Sequence, residues 1–356
     1  MGSLVNLLAI IITIGVIVFV HDGGHFIFAK LGGIKVNEFS IGMGPAVATW
    51  KKGETTYSIR ALPLGGYCLM DGMLEDSDNE RSYNNKPALT RLMVSLAGPL
   101  FNFILAFLLS IIICHNYAID PPVLTEIMEG SAAEDAGFKP GDEIIAINGS
   151  RIYNYREITL YSLVNDVDTP TEFTYKRDGQ QYKVTITKKQ DPETGNYYFG
   201  FISMGRFTEN FGEELKYAAL DVRFQMKATI YSIKMLFTGK ASKDDLMGPV
   251  GIGHTMNDII EEAKEETKEE SYWTQFVVVL MNIINFAVLL SANLGVMNLL
   301  PIPALDGGKI MFTLIEGISG KRVPPEKEAI VNAIGVVLLL ILTIFVFFND
   351  VGNLFK

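Results

Sequence analysis

Four long apolar runs, at residues 4–20, 92–114, 276–305 and 329–348, constrain this chain more than any other feature, because none of them contains an Asp, Glu, Lys or Arg. About twenty such residues suffice for a helix to cross the roughly 30 Å hydrocarbon layer of a bilayer. Inside that layer every backbone polar group must find its partner within the protein. The expected fold is therefore an α-helical membrane bundle of four transmembrane helices. At 356 residues, 49% of them hydrophobic, the chain is long enough for such a bundle plus a further module. A net charge of −10 argues against nucleic acid as a partner. The two cysteines, Cys68 and Cys114, are too few for a disulfide framework.

Two of the four histidines, His21 and His25, follow the first apolar run directly, with Asp22 between them. On a helix, positions i and i+4 share a face, so both imidazoles can reach one ion. A His-acid-x-x-His helix is a zinc-binding pattern, with the acid beside the first ligand available as a general base. Ionisable groups inside a membrane segment are costly and point to function. Residues 1–20 contain neither a basic start nor a small-residue cleavage site before His21, so the run is expected to be a retained membrane helix.

Orientation follows from Lys and Arg in the short loops. Residues 30–91 carry Lys30, Lys35, Lys51, Lys52, Arg60, Arg81, Lys86 and Arg91, and residues 306–328 carry Lys309, Lys321, Arg322 and Lys327. The first 20 residues carry none, and the tail only Lys356. Both loops are thus expected in the cytoplasm, with the termini and the 115–275 segment outside.

The expected organisation begins with a membrane helix at 1–30 bearing the His-Asp-x-x-His motif. A cytoplasmic-side, membrane-associated β-rich region follows at 31–90, then a second membrane helix at 91–115. An extracytoplasmic module occupies 120–205, and an amphipathic helix with an acidic linker 206–272. A third membrane helix at 273–305 ends in Leu305-Asp-Gly, and a cytoplasmic loop at 306–328 leads to the fourth helix at 329–349.

Within 36–70, polar and apolar residues alternate and glycines punctuate at Gly42, Gly44, Gly53, Gly65 and Gly66, the mark of strands and hairpins. Such a hairpin beside a metal could hold an extended peptide by strand addition; an ordinary cytoplasmic hairpin fits the pattern equally. The stretch Ser131-Ala-Ala to Ala136-Gly, Pro140-Gly-Asp and Ile147-Asn-Gly149 resembles an α+β PDZ domain of the bacterial protease type, which implies peptide binding or size filtering. Residues 211–237 have helical, amphipathic spacing, suited either to the outer leaflet or to packing on the module. The acidic run 258–270 reads as a solvated face or flexible segment.

A third ligand is available at Asp306. It is the first charge after some thirty neutral residues and closes Asn298-Leu-Leu-Pro-Ile-Pro-Ala-Leu-Asp-Gly-Gly308. The third span runs inward, so Asp306 arrives on the same side as His21 and His25. Two imidazoles and one carboxylate leave a tetrahedral position free, the catalytic rather than the structural zinc pattern. The His21–His25 helix, Ala97-Gly-Pro-Leu-Phe-Asn102 and Asn298–Gly308 together resemble the site-2 proteases, the intramembrane zinc metalloproteases. The likeness is to the bacterial regulator-of-sigma-E protease type with a single PDZ domain. Gly248-Pro-Val-Gly-Ile252, Ile41-Gly-Met-Gly-Pro45 and Leu64-Gly-Gly-Tyr67 fit as well.

The resemblance implies Zn2+ on His21, His25 and Asp306, with Asp22 as the general base. It also implies substrate contacts from Asn298, Pro301, Gly42, Gly65 and Gly66. The implied activity is hydrolysis within the spans of single-span membrane proteins, of the anti-sigma-factor or remnant-signal-peptide type and pre-trimmed by another protease. The implied location is a bacterial inner membrane. This chain departs from the family at Asp22, where the family carries Glu, one C–C bond (roughly 1.5 Å) longer. Misplacing a reacting group by about 1 Å can cost on the order of 100-fold in rate, so a catalytically inactive PDZ scaffold is the alternative. Gly23 and Gly24 are also unusual inside a helix, each costing roughly 1 kcal/mol relative to Ala. A divalent-ion transporter fits less well, since the other spans hold no acidic relay and no inverted repeat.

Overall fold

The computed structural model describes residues 2–73, 77–191, 194–240, 247–321 and 323–354. Arg322 and Lys356, counted above among the basic residues, and positions 241–246 of the linker lie outside them. In chain order the elements begin with helix α1 (Gly2–Leu31), strands β1 (Val36–Lys52) and β2 (Thr55–Met70), and helix α2 (Ala88–Asn116). Next come β3 (Glu126–Ile127), α3 (Ala132–Asp135), β4 (Glu143–Ile147), β5 (Ser150–Arg151) and α4 (Arg156–Val164). Strands β6 (Thr171–Arg177), β7 (Gln180–Ile186), β8 (Lys189–Gln190), β9 (Tyr197–Tyr198) and β10 (Phe201–Ile202) follow. The described residues then continue with helices α5 (Phe211–Phe237), α6 (Pro249–Glu266), α7 (Tyr272–Leu299), α8 (Asp306–Ser319) and α9 (Pro325–Leu354). The chain divides into two compact units, Met1–Leu109 with Ala241–Lys356, and Ser110–Lys240.

Among the described residues four helices are long and apolar enough to cross a membrane: Leu4–Leu31, Ala88–Asn116, Tyr272–Leu299 and Glu326–Asn353. Their outward apolar residues, such as Ile12, Leu108 and Leu338, stay exposed, as a lipid-facing surface requires. The third helix is shorter than its apolar run. It stops at Leu299, and Leu300 turns extended (ψ 140°) because the residue before a proline is disfavoured in helical geometry. Asp306 is thus not the end of that helix but the first residue of α8, and the segment after it, expected as a loop, is helical to Ser319. Its apolar positions 310, 311, 314, 315 and 318 carry the helical period, and Gly320 ends it with φ +66°.

The β1–β2 hairpin doubles on itself. Ser40 pairs with both Tyr67 and Ser58, and Ile41 with both Gly66 and Ile59. Residues 38–41 are therefore flanked on both sides by parts of β2, and the 66–69 end of β2 has a strand partner on one side only among the described residues. Helix α6 buries Met256, Ile260 and Ala263 and leaves Asp258, Glu261, Glu262, Glu265 and Glu266 exposed. The acidic run is thus the solvated face of a helix up to Glu266. The carboxylate of Asp350, near the end of α9, accepts hydrogen bonds from the N–H groups of Gly248 and Gly251 (3.1 and 2.8 Å). It caps α6, which starts from glycine without a side-chain cap of its own.

The second unit holds a four-stranded antiparallel sheet in the order β5-β4-β6-β7 and a separate β3–β10 pair. Its core gathers Leu124, Phe138, Ile144, Ile147, Phe173 and Phe201. Helix α5 packs on this module. The fully buried Glu157 side chain takes salt bridges from Arg223 and Lys227, and Asp221 takes one from Arg156. A buried carboxylate requires such partners, so this face of the helix is the one that packs on the module.

Candidate metal centre

The site starts from helix α1, whose uncharged run from Leu4 to Val20 leads into His21, Asp22 and His25. Its odd pair of glycines has an explanation on one side only. A Cβ on Gly24 would stand 2.5 Å from the backbone oxygen of Ala97, so α1 and α2 touch backbone to backbone there, whereas nothing lies within 4 Å of one on Gly23. One step further along α2, a Cβ on Gly98 would meet His25 Nε2 at 2.3 Å and His21 Cε1 at 2.7 Å. The imidazoles occupy the space this glycine leaves.

Asp306 reaches the same place through a tight return of the chain. A Cβ on Gly307 would lie 1.9 Å from the carbonyl oxygen of Leu300, and one on Gly308 2.7 Å from that of Ile302. Only glycines let α8 begin this close to the end of α7. Ala304 holds the left-handed conformation (φ +76°), which costs a non-glycine residue of order 1 kcal/mol or more. Its N–H donates to Asn332 of α9 (3.2 Å). Arg91 of α2 is 5% exposed and pairs with Glu316, tying α8 to α2.

His21, His25 and Asp306 are each at most 9% exposed. The two Nε2 atoms are 3.2 Å apart, and each lies 3.2 Å from Asp306 Oδ2. Two ligands about 2.0–2.1 Å from one zinc ion, at the tetrahedral angle, stand roughly 3.3 Å apart. The trio fits a tetrahedral ion, and the donor set is that of a catalytic zinc. Burial works against the ionised Asp306 carboxylate, but its contacts with the two imidazoles outweigh this and hold it well below the usual carboxylate range. It therefore stays in the anionic form a ligand needs. His25 Nδ1 donates to the carbonyl of Val94 (2.8 Å), and His21 Nδ1 lies 3.1 Å from the amide of Asn102.

A cavity of about 800 Å³ opens on the trio, lined by His21, Asp22 and His25, residues 66–70 of β2, Asn298, Leu305 and Lys309. Asp22 Oδ2 is buried and has no hydrogen-bond partner among the described residues. It lies 2.8 Å from where a Cβ on Gly66 would be, at the edge of the hairpin. Lys309 Nζ is 4.0 Å from Asp306 Oδ1. Burial pushes the Cys68 thiol, also in the wall, up to about 12, and the carboxylate of Asp22 adds to it.

Of the residues singled out in the sequence, His21, Asp22, His25, Gly66, Asn298 and Asp306 meet at this cavity. Gly42, Gly65 and Pro301 are not among its lining residues. Gly42 (φ +84°) and Gly65 (φ +82°) instead serve the bends of the hairpin, packed on the carbonyl of Leu62 and on Met43. Pro301 serves to end α7. Gly98 and Asn102 stand in a motif already noted, but nothing in a single sequence says what they face. Lys309 and Arg91 had no signal beyond their charge.

The family model described as "Peptidase family M50" matches residues 9–342. The chain belongs to that peptidase family. Across 98% of both chains it is 37% identical to a Clostridium acetobutylicum protein whose name classes it with the zinc metalloproteases. It is 31% identical to the zinc metalloprotease RasP of Shouchella clausii, over 99% of this chain and 100% of that one. To the regulator of sigma-W protease RasP of Bacillus subtilis the identity is 28%, over 98% and 99%. A solved PDZ domain of an SdrC-like protein from Listeria monocytogenes matches 25% of this chain and 93% of its own, at 18% identity and a TM-score of 0.22. Membership of this family, together with four apolar helices, makes the chain a membrane protein of the metalloprotease class.

Proposed function

We propose that this chain is a site-2-type intramembrane zinc endopeptidase, cutting within the transmembrane segments of single-span membrane proteins. The observation that carries the reading is the convergence of two imidazoles and one carboxylate, from residues 21, 25 and 306, on a single point beside an open cavity. His21, His25 and Asp306 would hold the zinc, which supplies a Lewis acid that polarises the scissile carbonyl and acidifies water. Asp22, whose buried Oδ2 has no other partner among the described residues, takes the proton of the attacking water and delivers it to the leaving amine. A transmembrane substrate must first unwind, since its carbonyls are otherwise held in helical hydrogen bonds. The free edge of β2 at residues 66–69 would hold the unwound strand by backbone pairing, with the Asn298 amide across the cavity orienting it.

The module at 120–205 is read as an extracytoplasmic PDZ domain that admits substrates already trimmed by another protease. The termini lie outside and the metal centre toward the cytoplasmic face of a bacterial inner membrane, as the loop charges indicate. Expected substrates are anti-sigma factors or remnant signal peptides. One observation favours a second reading, a peptide-binding scaffold without turnover: Asp22 is shorter than the Glu of the family.

The test is cleavage of a membrane-spanning reporter by the purified protein. Turnover is expected in the wild type and its loss in His21→Ala; a reporter still cut by His21→Ala removes the assignment. Asp22→Glu separates the readings, since a large gain marks an enzyme slowed by its short base. No turnover in either form leaves the scaffold.

A further inference from the structure

Val94, Gly98 and Asn102 follow one another at four-residue steps on α2 and so share one face of it. That face is pressed against the two histidines. Val94 offers its carbonyl to His25 Nδ1 at 2.8 Å, Gly98 clears the space the rings occupy, and the Asn102 amide reaches His21 Nδ1 at 3.1 Å. An imidazole that ligates through Nε2 carries its proton on Nδ1 and must donate it. For His25 the acceptor is a backbone carbonyl. For His21 the neighbour is the Asn102 amide. An amide nitrogen facing Nδ1 would hold His21 in the wrong tautomer, with its proton on Nε2. With the amide oxygen turned to Nδ1, the tautomer is right. Oδ1, without a partner among the described residues, then gains one, while Nδ2 moves to the place Oδ1 held.

We propose that Asn102 is a positioning residue of the metal centre, its amide oxygen accepting the Nδ1 proton of His21 and so fixing the Nε2 lone pair on the ion. Asn102 is fully buried, and its backbone oxygen accepts a hydrogen bond from Ser291 of α7 (2.8 Å). Its position is thus set by the packing of α2 on α7 and is independent of its side chain. The inference rests on the zinc reading above. Outer-shell acceptors of this kind are worth about 10–100-fold in metal affinity.

The experiment titrates metal-stripped full-length protein in detergent with zinc against a competing chelator, for wild type, Asn102→Leu and Asn102→Asp. Leu keeps the bulk and removes the acceptor; Asp keeps the acceptor and completes a carboxylate–histidine–metal arrangement. Affinity is expected to fall about 10–100-fold in Asn102→Leu and to equal or exceed the wild-type value in Asn102→Asp. Asn102→Ala, which cannot clash, repeats the test should the Leu variant fail to fold. Unchanged affinity in the variants without an acceptor overturns the inference, and so does an equal loss in Asn102→Asp, which would mark a merely structural side chain. A wild type that takes up no zinc overturns the zinc reading and this inference with it.

Discussion

The sharpest test of the architecture is one methyl group. In Gly98→Ala the new carbon would stand 2.3 Å from His25 Nε2, 2.6 Å from His25 Cε1 and 2.7 Å from His21 Cε1. Ordinary contact between such atoms is about 3.5 Å or more, so the His25 ring has to retreat by roughly 1.2 Å. Ligand distances tolerate only about 0.2 Å either way, and the required shift is several times that. Moving α2 away instead would open the Gly24–Ala97 contact and stretch the hydrogen bond from His25 to the Val94 carbonyl. Crowding itself costs about 1–3 kcal/mol, which a bundle of this size survives. The expected outcome is a folded protein that has lost His25 as a ligand. Its zinc content after purification should be far below one per chain, and its reporter cleavage should fall by at least about 100-fold. The control is Gly23→Ala, where nothing lies within 4 Å and helix propensity improves by about 1 kcal/mol; it should keep both zinc and turnover. If Gly98→Ala purifies with a full complement of zinc and cuts within threefold of wild type, the placement of the imidazoles against α2 is wrong.

Gly66→Ala places a carbon 2.6 Å from the Ser40 carbonyl oxygen and 2.8 Å from Asp22 Oδ2; it should keep zinc yet slow cleavage about 100-fold, and an unchanged rate would remove Gly66 from the substrate edge. Glu316→Leu leaves the buried Arg91 guanidinium without its carboxylate and should lower stability by about 3 kcal/mol, most of it recovered in the double variant with Arg91→Met. Thermal unfolding in detergent reads this, and a single variant as stable as wild type contradicts it. In a Cys114→Ser background, a Cys68 thiol held at about 12 is only about one ten-thousandth thiolate at pH 8. The raised value means that the reactive form grows with pH, so alkylation should be over 100-fold slower than for glutathione at pH 8 and rise about tenfold per pH unit toward 12. Labelling at the glutathione rate would show that the thiol is not buried in the cavity wall.

The spans, the histidine pair and Asp306 were legible because each is a one-dimensional signal: a run without charge, a spacing of four, a charge where neutrality ends. Helix propensity alone could not place the stop of α7 six residues before the apolar run ends. The restriction imposed by Pro301 on Leu300 does mark that stop, but it does not say that a helix starts again at Asp306. Alternation identified the strands of the hairpin but carried no register, so the pairing of Ser40 with two partners at once was out of reach. Gly24, Gly98 and Gly307 make the same point more strongly. A glycine required by a close approach looks like any other glycine until the opposing backbone is known. Asn102 lies in a recognisable motif, yet its worth depends on a ring nitrogen 81 positions away in the chain.

His25 and Asp306 are 281 positions apart in a chain of 356, so an ion gripping both would close most of the polypeptide into one ring. Closure entropy grows only with the logarithm of length, about 0.6 kcal/mol for each doubling, yet here a ring of that length would be fastened by a single atom. Asp306 sits at the head of a short helix, behind a turn that Ala304 holds in a costly conformation, and is not built into a long rod. Chelation would therefore do more than halt chemistry: it would unlatch residues 300–308 from the histidine rod, and faster amide exchange there should betray the missing clasp before the rest of the bundle loosens.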